Sequence, residues 1–82
     1  MERTVKVALK DGLDANAIAL LVQAACKYES RIHLACGERK VNAKSIMGMM
    51  NMVVNSGTEV TVIAEGNDEE TAIAEIEKLL TE

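Results

Sequence analysis

The sequence predicts an α+β fold in which a four-stranded antiparallel sheet carries three helices on one face. Three observations support this prediction: four short segments alternate between apolar and polar side chains, three segments begin with helix-start signals, and the connections are short. The predicted order of elements is β-α-β-β-α-β-α. The chain has no linker and no internal repeat, so we expect one domain over residues 1–82.

The amino-terminal part alternates first and then takes on a helical repeat. Every second side chain from residue 4 to residue 9 is apolar, which is typical of a half-buried strand, and residues 10–12 end it. Asp14 is the predicted N-cap of the helix that follows, because its carboxylate can accept the free amide hydrogens of the first turn. The apolar stripe of that helix consists of Ile18, Leu21, Val22 and Ala25.

The next segment predicts a β-hairpin. Alternation over residues 31–36 gives a second strand, and residues 39–43 return as a third. Gly37 and Glu38 between them fit a two-residue turn with glycine in the first position. His33 points to the outer face of this hairpin, where we expect an exposed histidine without a catalytic role.

A short helix follows the hairpin. Ser45 is its predicted N-cap, the helix runs from residue 46 to about residue 52, and residues 55–57 stop the chain again. Five large apolar side chains fall within this helix and cannot all face one way, so some of them must belong to the core. They are Ile46, Met47, Met49, Met50 and Met52.

The carboxyl-terminal part predicts a fourth strand and a third helix. Residues 58–65 alternate, and the acidic segment 66–70 opens the helix. Asn67 and Glu70 have the spacing of a capping box. The apolar stripe of the helix consists of Ala72, Ile73, Ile76, Leu79 and Leu80.

Composition excludes several functional classes. The formal charge of −4 and a single aromatic residue, Tyr28, argue against direct nucleic-acid binding. No apolar stretch approaches the roughly 20 residues of a membrane span, and the amino end does not resemble a secretory signal, so we expect a cytoplasmic protein. Cys26 and Cys36 form neither a CxxC motif nor a zinc site and are expected to be buried thiols. We expect no metal and no cofactor.

Three segments carry a resemblance to a known family. The octapeptide VNAKSIMG at residues 41–48, the segment GTEVT at residues 57–61 and the segment at residues 21–28 resemble HPr, the histidine-containing phosphocarrier family of the bacterial sugar phosphotransferase system. The resemblance extends over essentially the whole chain. It implies an open-faced β-sandwich and phosphorylation of Ser45 by HPr kinase/phosphorylase, beside Lys40 and Lys44.

The phosphocarrier motif of that family is altered here. The family has glycine, an apolar residue, histidine, alanine, arginine and proline, and this chain reads GLDANA at residues 12–17. Asp14 stands at the histidine, Asn16 at the arginine and Ala17 at the proline. Asp14 is already anionic and Asn16 supplies no positive charge for a phosphoryl group, so the resemblance implies a degenerate site, lost carrier chemistry and no enzyme activity. With the histidine and arginine restored, a proline at position 17 would be tolerated at the beginning of the helix, where its missing amide hydrogen is not needed.

The resemblance also implies a surface for protein partners. HPr-like regulators that lack the histidine retain the serine, and they also keep the arginine and proline that this chain has lost. The expected partners are HPr kinase/phosphorylase and a regulator such as catabolite control protein A, in carbon catabolite regulation. The implied partner-binding residues are Leu20, Gln23, Lys27, Ile46, Met47 and Met50. Without the resemblance we would assign the methionines to the core.

Three alternatives remain open at this point. Asp14 could accept phosphate as an acyl phosphate, or its charge could imitate a phosphorylated histidine. Ser45 could be only a helix cap, in an HPr fold that serves an unrelated protein contact.

Overall fold

The computed structural model describes residues 1–10, 12–52 and 54–81. Its elements follow the predicted order, which confirms the α+β class. They are β1 (Glu2–Lys6), α1 (Ala15–Cys26), β2 (Arg31–Cys36), β3 (Arg39–Asn42), α2 (Ile46–Met50), β4 (Glu59–Glu65) and α3 (Glu69–Thr81). Asp11, in the predicted break at residues 10–12, lies outside the described residues.

The four strands form one antiparallel sheet in the order β1-β4-β2-β3. Because side chains alternate along a strand, Val60, Val62 and Ala64 of the central strand β4 all point to one face, where each is at most 1% exposed. α3 packs on β4 and β1, α2 packs on β3, and α1 packs against both helices. On the opposite face the hydroxyls of Thr4 and Thr61 lie 3.0 Å apart. The predicted sheet with helices on one face is confirmed.

The edges of the strands differ from the predicted ones because pairing, not only side-chain alternation, sets them. β1 begins at Glu2, which pairs with Ile63 of β4, and it ends at Lys6 rather than at residue 9. The predicted inward face is nevertheless correct, since Val7 is fully buried and its amide still donates to Thr58 O at 2.9 Å. β3 and β4 are each one residue shorter than predicted.

The hairpin between β2 and β3 has the predicted turn. Cys36 pairs with Arg39, which leaves Gly37 and Glu38 as the two-residue loop. Gly37 has a φ of 62°, and Glu38 does not have a positive φ, so glycine occupies the position that requires the left-handed region. His33 lies on the outward side of β2 as predicted, but it is half-buried between its cross-strand neighbours Asn42 and Ile63.

Two helix boundaries also differ. α2 ends at Met50, because Met52 turns back into the core and is only 3% exposed. α3 begins at Glu69, and its first helical hydrogen bond runs from the amide of Ala72 to Asp68 O at 2.9 Å. Asp68 therefore precedes the first turn, and the predicted capping box of Asn67 and Glu70 is wrong.

The prediction that both thiols are buried is wrong. Cys26 is exposed because it closes α1 on the side that faces solvent, where its Sγ lies 4.0 Å from Lys44 O. Cys36 is half-buried at the end of β2, next to the hairpin turn. Both cysteines are free. No helix in the described parts of the chain is both long and apolar enough to cross a bilayer.

Candidate functional site

The altered phosphocarrier motif forms the start of α1. Asp14 has the extended backbone of an N-cap, with φ −81° and ψ 179°, and its Oδ1 accepts from the amide of Ala17 at 2.9 Å. Asp14 O accepts from the amide of Ile18 at 2.9 Å. The predicted cap is confirmed. The amide at position 17 is thus in use while Asp14 is present, and a proline there would remove the donor of this hydrogen bond.

The loop before α1 is fixed to the segment that follows α2. Gly12 has a φ of 67°, and a Cβ at this position would clash with Val54 O. The amide of Leu13 donates to the same carbonyl at 2.9 Å, and the Leu13 side chain is buried. Only glycine meets both the backbone conformation and the close approach, so this part of the phosphocarrier motif is preserved for structural reasons.

The start of α1 supplies a cap and little support for phosphoryl transfer. Asp14 and Asn16 are exposed and Ala17 is half-buried. Among the residues that the structure describes, no lysine, arginine or amino terminus forms an ion pair with the Asp14 carboxylate. A phosphoryl group arriving at Asp14 would therefore meet a negative charge without a positioned cation to offset it.

Ser45 begins α2. Its backbone is extended, with φ −107° and ψ 111°, and its Oγ accepts from the amide of Gly48 at 3.3 Å. Ser45 O accepts from the amide of Met49 at 3.0 Å, so the predicted cap is confirmed. The Ser45 side chain is half-buried, and a Cβ at Gly48 would lie 3.5 Å from Oγ. Glycine at this position leaves the space beside the hydroxyl open.

Lys44, the neighbour of Ser45, is fixed at three points. Its Nζ donates to Tyr28 O at 2.7 Å, its amide donates to Asn42 Oδ1 at 2.8 Å, and its carbonyl lies 4.0 Å from Cys26 Sγ. The start of α2 is thus attached to the end of α1. Asp14 lies at the other end of α1, whose 12 residues span about 18 Å at 1.5 Å per residue. The altered carrier position, Asp14, and the retained serine, Ser45, therefore lie near opposite ends of this helix.

The residues implied as partner-binding are all exposed. α2 is two-sided: Met49 is fully buried, whereas Ile46 is 50%, Met47 77% and Met50 56% exposed. Leu20 of α1 is 55% exposed. We call Leu20, Ile46, Met47 and Met50 the apolar surface. Exposed apolar side chains on adjacent elements are typical of a protein contact, and their role as a partner-binding surface remains a prediction.

A groove between α1 and α3 adjoins the apolar surface. Leu20, Gln23 and Lys27 follow one stripe of α1 and line this groove, which has a volume of about 230 Å³ and is closed on its far side by Glu75 and Leu79. Gln23 and Lys27 are exposed. The structure therefore brings the three implied residues of α1 together on one face, and it adds two residues of α3 to that face.

Glu75 contacts two residues that follow α1, Lys27 in this groove and Tyr28 beside it. Its Oε2 lies 2.9 Å from Lys27 Nζ, and its Oε1 accepts from the Tyr28 hydroxyl at 2.8 Å. These hydrogen bonds raise the pKa of Lys27 and the pKa of Tyr28, and they lower the pKa of Glu75. Sequence reasoning missed this cluster because Glu75 lies 47 residues from Tyr28 and no local pattern pairs them.

Comparison with known families agrees with this arrangement. The family profile described as the phosphorylation site of the HPr component of the phosphotransferase system matches residues 1–82. The chain belongs to the HPr family. HPr-family proteins are phosphocarrier or regulatory proteins rather than enzymes, and they interact with kinases and other proteins.

Individual relatives of the chain include HPr-like Crh proteins and phosphocarrier HPr proteins. It is 47% identical over 76 residues to the HPr-like protein Crh of Bacillus subtilis, covering 93% of this chain and 89% of that protein. It is 49% identical over 82 residues to the HPr-like protein Crh of Halalkalibacterium halodurans, covering 95% and 98%. The structure of the phosphocarrier protein HPr from Bacillus anthracis superposes with a TM-score of 0.94 at 36% identity, covering 98% of this chain and 95% of that one. The similarity to Crh supports an HPr-like regulatory role.

Proposed function

We propose that this HPr-family chain is a cytoplasmic regulator that receives phosphate on Ser45 from HPr kinase/phosphorylase and does not carry phosphate at the start of α1. The observation that carries the proposal is the contrast between the two helix starts. Ser45 is half-buried, and Gly48 places no side chain beside its hydroxyl. Both residues belong to the octapeptide of residues 41–48. Asp14 has its carboxylate engaged as a cap, and no described cation pairs with it.

The proposed modification is a transfer from ATP to a serine hydroxyl. Ser45 Oγ forms a bond to the γ-phosphorus of ATP, the bond from that phosphorus to the bridging oxygen breaks, and ADP leaves. The serine proton passes to a base of the kinase. The new phosphate lies at the start of α2, where the amide of Gly48 already donates to Ser45 Oγ and where the helix favours an anion.

The phosphate would act as a label for a partner rather than as an unfolding switch. It adds roughly −1.5 to −2 charge next to the apolar surface, whose methionines adapt to more than one partner. A regulator that offers cations opposite Ser45 and apolar side chains opposite Met47 would prefer the phosphorylated form. We propose catabolite control protein A, or another regulator of carbon catabolism, as this partner.

Kinase treatment tests the proposal. The chain and its Ser45→Ala variant are incubated with HPr kinase and ATP, and their masses are measured. We expect one phosphoryl group on the unchanged chain and none on the variant. Thr58→Ala, at a half-buried hydroxyl away from α2, is the matched control and should be modified like the unchanged chain. No modification of the unchanged chain, or equal modification of Ser45→Ala, contradicts the proposal.

A further inference from the structure

One lysine links the start of α2 to the end of α1. Lys44 directly precedes Ser45, yet its ammonium does not extend into solvent: Nζ donates to Tyr28 O at 2.7 Å in a partly buried contact. Tyr28 lies just beyond the C-cap Lys27 of α1, and its amide donates to Ala25 O of the last turn at 3.2 Å. A cation at this end also meets the negative pole of the helix. Lys44 therefore stabilises the end of α1 while it lies next to the proposed phosphorylation site.

Tyr28 connects this lysine to the groove between α1 and α3. Its carbonyl accepts from Lys44, and its hydroxyl donates to Glu75 Oε1 at 2.8 Å. Glu75 in turn pairs with Lys27, one of the implied partner-binding residues. Tyr28, Lys27 and Glu75 line a neighbouring hollow beside α3, which shares Lys27, Glu75 and Leu79 with the groove. A series of direct contacts thus runs from the neighbour of Ser45 to the surface that a partner of α1 would meet.

A phosphate on Ser45 would compete with Tyr28 for the Lys44 ammonium. The Tyr28 carbonyl is neutral, whereas phosphoserine carries roughly −1.5 to −2 charge and three acceptor oxygens. The bond from Lys44 to Tyr28 already has an ionised donor, and a phosphate acceptor adds an attraction between opposite charges that the neutral carbonyl does not offer. The lysine side chain is flexible and its ammonium has three donors, so it can turn toward the adjacent residue without a change in the backbone.

We propose that phosphate on Ser45 withdraws the Lys44 ammonium from the Tyr28 carbonyl, and that Lys44 thereby transmits the phosphorylation state to the groove between α1 and α3. This inference rests on the proposed phosphorylation of Ser45 and names how that same site is read. Loss of the Lys44 contact loosens the end of α1 at Tyr28 and changes how Lys27 and Glu75 are presented. A partner then meets a changed surface in the groove at Lys27 and Glu75, in addition to the phosphate on Ser45.

The test measures the Tyr28 carbonyl directly and does not need the kinase. Phosphoserine is installed at position 45 during synthesis, and the carbonyl ¹³C resonance of Tyr28 is compared with that of the unmodified chain. We expect phosphate to shift this resonance in the direction of a lost hydrogen bond. Lys44→Gln should show the shift without phosphate and no further shift with it. Lys40→Gln, at an exposed lysine of β3, is the matched control and should respond to phosphate like the unchanged chain.

Two outcomes overturn the inference. One is an unchanged Tyr28 resonance when phosphate is present on the otherwise unaltered chain, a comparison that involves no destabilising substitution. The other is an equal response to phosphate in Lys44→Gln, which would assign the effect to the phosphate and not to the lysine. Failure of HPr kinase to modify Ser45 would contradict only the proposed function, since the installed phosphate bypasses that enzyme.

Discussion

At the scale of single residues, two departures from the HPr motif fit each other. The Asp14 carboxylate needs a donor three residues later, and Ala17 provides the amide hydrogen that the family's proline lacks. The family combines a histidine at position 14 with a proline at position 17, and this chain combines an aspartate with an alanine. In each combination the residue at position 17 matches the need of position 14 for an amide donor. The structure explains the alanine through the aspartate, whereas the sequence presents them as separate losses.

This pairing predicts a coupling between the two positions. Ala17→Pro in the otherwise unchanged chain should lower the free energy of unfolding by about 1 kcal/mol through the lost cap, and the same substitution in Asp14→Ala should cost less. Denaturant unfolding of the four proteins measures the difference. Ala15→Pro is the matched control, because proline is tolerated at the first helical position and leaves the Asp14 bond intact. Equal costs in both backgrounds would contradict the account.

Restoring the carrier motif gives a second prediction at this scale. We expect Asp14→His alone to accept phosphate from enzyme I slowly, because no positioned cation assists the transfer. Adding Asn16→Arg and Ala17→Pro should raise the rate substantially, and the proline then removes a donor that histidine does not need. Initial labelling rates with phosphoenolpyruvate, together with thermal melts showing that both variants are folded, decide it. A single variant as fast as the triple variant would show that the histidine alone was missing.

At the scale of elements, α2 is a five-residue helix tied at both ends. Ser45 caps its start, and Arg39 of β3 donates to Asn51 O at 3.0 Å just beyond its end. An isolated helix of this length is not stable in water, so tertiary contacts must hold it. Met49 is the only residue of α2 that is fully buried, and it attaches the helix to the core while the neighbouring methionines remain on the apolar surface.

The two-sided character of α2 predicts unequal effects of similar substitutions. Met49→Ala should lower the free energy of unfolding by about 2–5 kcal/mol, because it removes a fully buried side chain and leaves a cavity. Met47→Ala, at a side chain that is 77% exposed, should change it by about 0.5 kcal/mol or less. Urea unfolding of both variants measures this. A large loss of stability in Met47→Ala would place that methionine in the core and remove it from the apolar surface.

A carboxylate joins the residues just before β2 to the residue just before α3. Asp68 accepts from the hydroxyl of the buried Ser30 and from the amides of Glu29 and Ser30, at 2.9 and 3.0 Å. These hydrogen bonds, with Ser30 first, lower the pKa of Asp68 from its ordinary value of 3.8. A carboxyl whose pKa is lower in the folded state stabilises the fold above its ordinary pKa, and this stabilisation is lost as the pH falls through the folded-state pKa.

The lowered pKa of Asp68 predicts how the stability of the fold depends on pH. Asp68→Asn should melt at a lower temperature than the unchanged chain at pH 7, and the difference should shrink as the pH falls from about 4 through the lowered pKa of Asp68. Calorimetry at several pH values measures both curves. Asn67→Ala is the control, because Asn67 is exposed and is not the cap that its spacing suggested. A constant difference between Asp68→Asn and the unchanged chain at all pH values would contradict this account.

At the scale of the whole molecule, local patterns predicted the elements and their faces, because alternation and helical stripes depend on the core alone. The sheet order and the contacts that cross it could not be predicted in this way. Asp68 bonds to Ser30 across 38 residues, and Lys44 bonds to Tyr28 across 16, and neither contact has a signal in local spacing. The prediction that the Cys26 thiol is buried failed for a related reason, because exposure at a helix end depends on which other elements pack there.

The candidate site divides in the same way. Its residues Ser45 and Asp14 were predicted from a motif, and their capping geometry follows from their residue types. The exposure of Met47 and Met50 could not be read from periodicity, which favoured core positions, and came from the resemblance to the HPr family. The groove of α1 and α3 was not predicted at all, because two of its six lining residues, Glu75 and Leu79, come from α3 at the far end of the chain.

The central claim is that phosphate enters this molecule at Ser45 and not at Asp14. Mass spectrometry of two parallel reactions tests it most directly, one with HPr kinase and ATP and one with enzyme I and phosphoenolpyruvate, each stopped rapidly because an acyl phosphate is labile. The account predicts one phosphoryl group in the kinase reaction, located at Ser45 by fragmentation, and none in the enzyme I reaction. Stoichiometric, hydroxylamine-sensitive label from enzyme I that disappears in Asp14→Asn, with no label from the kinase, would contradict it.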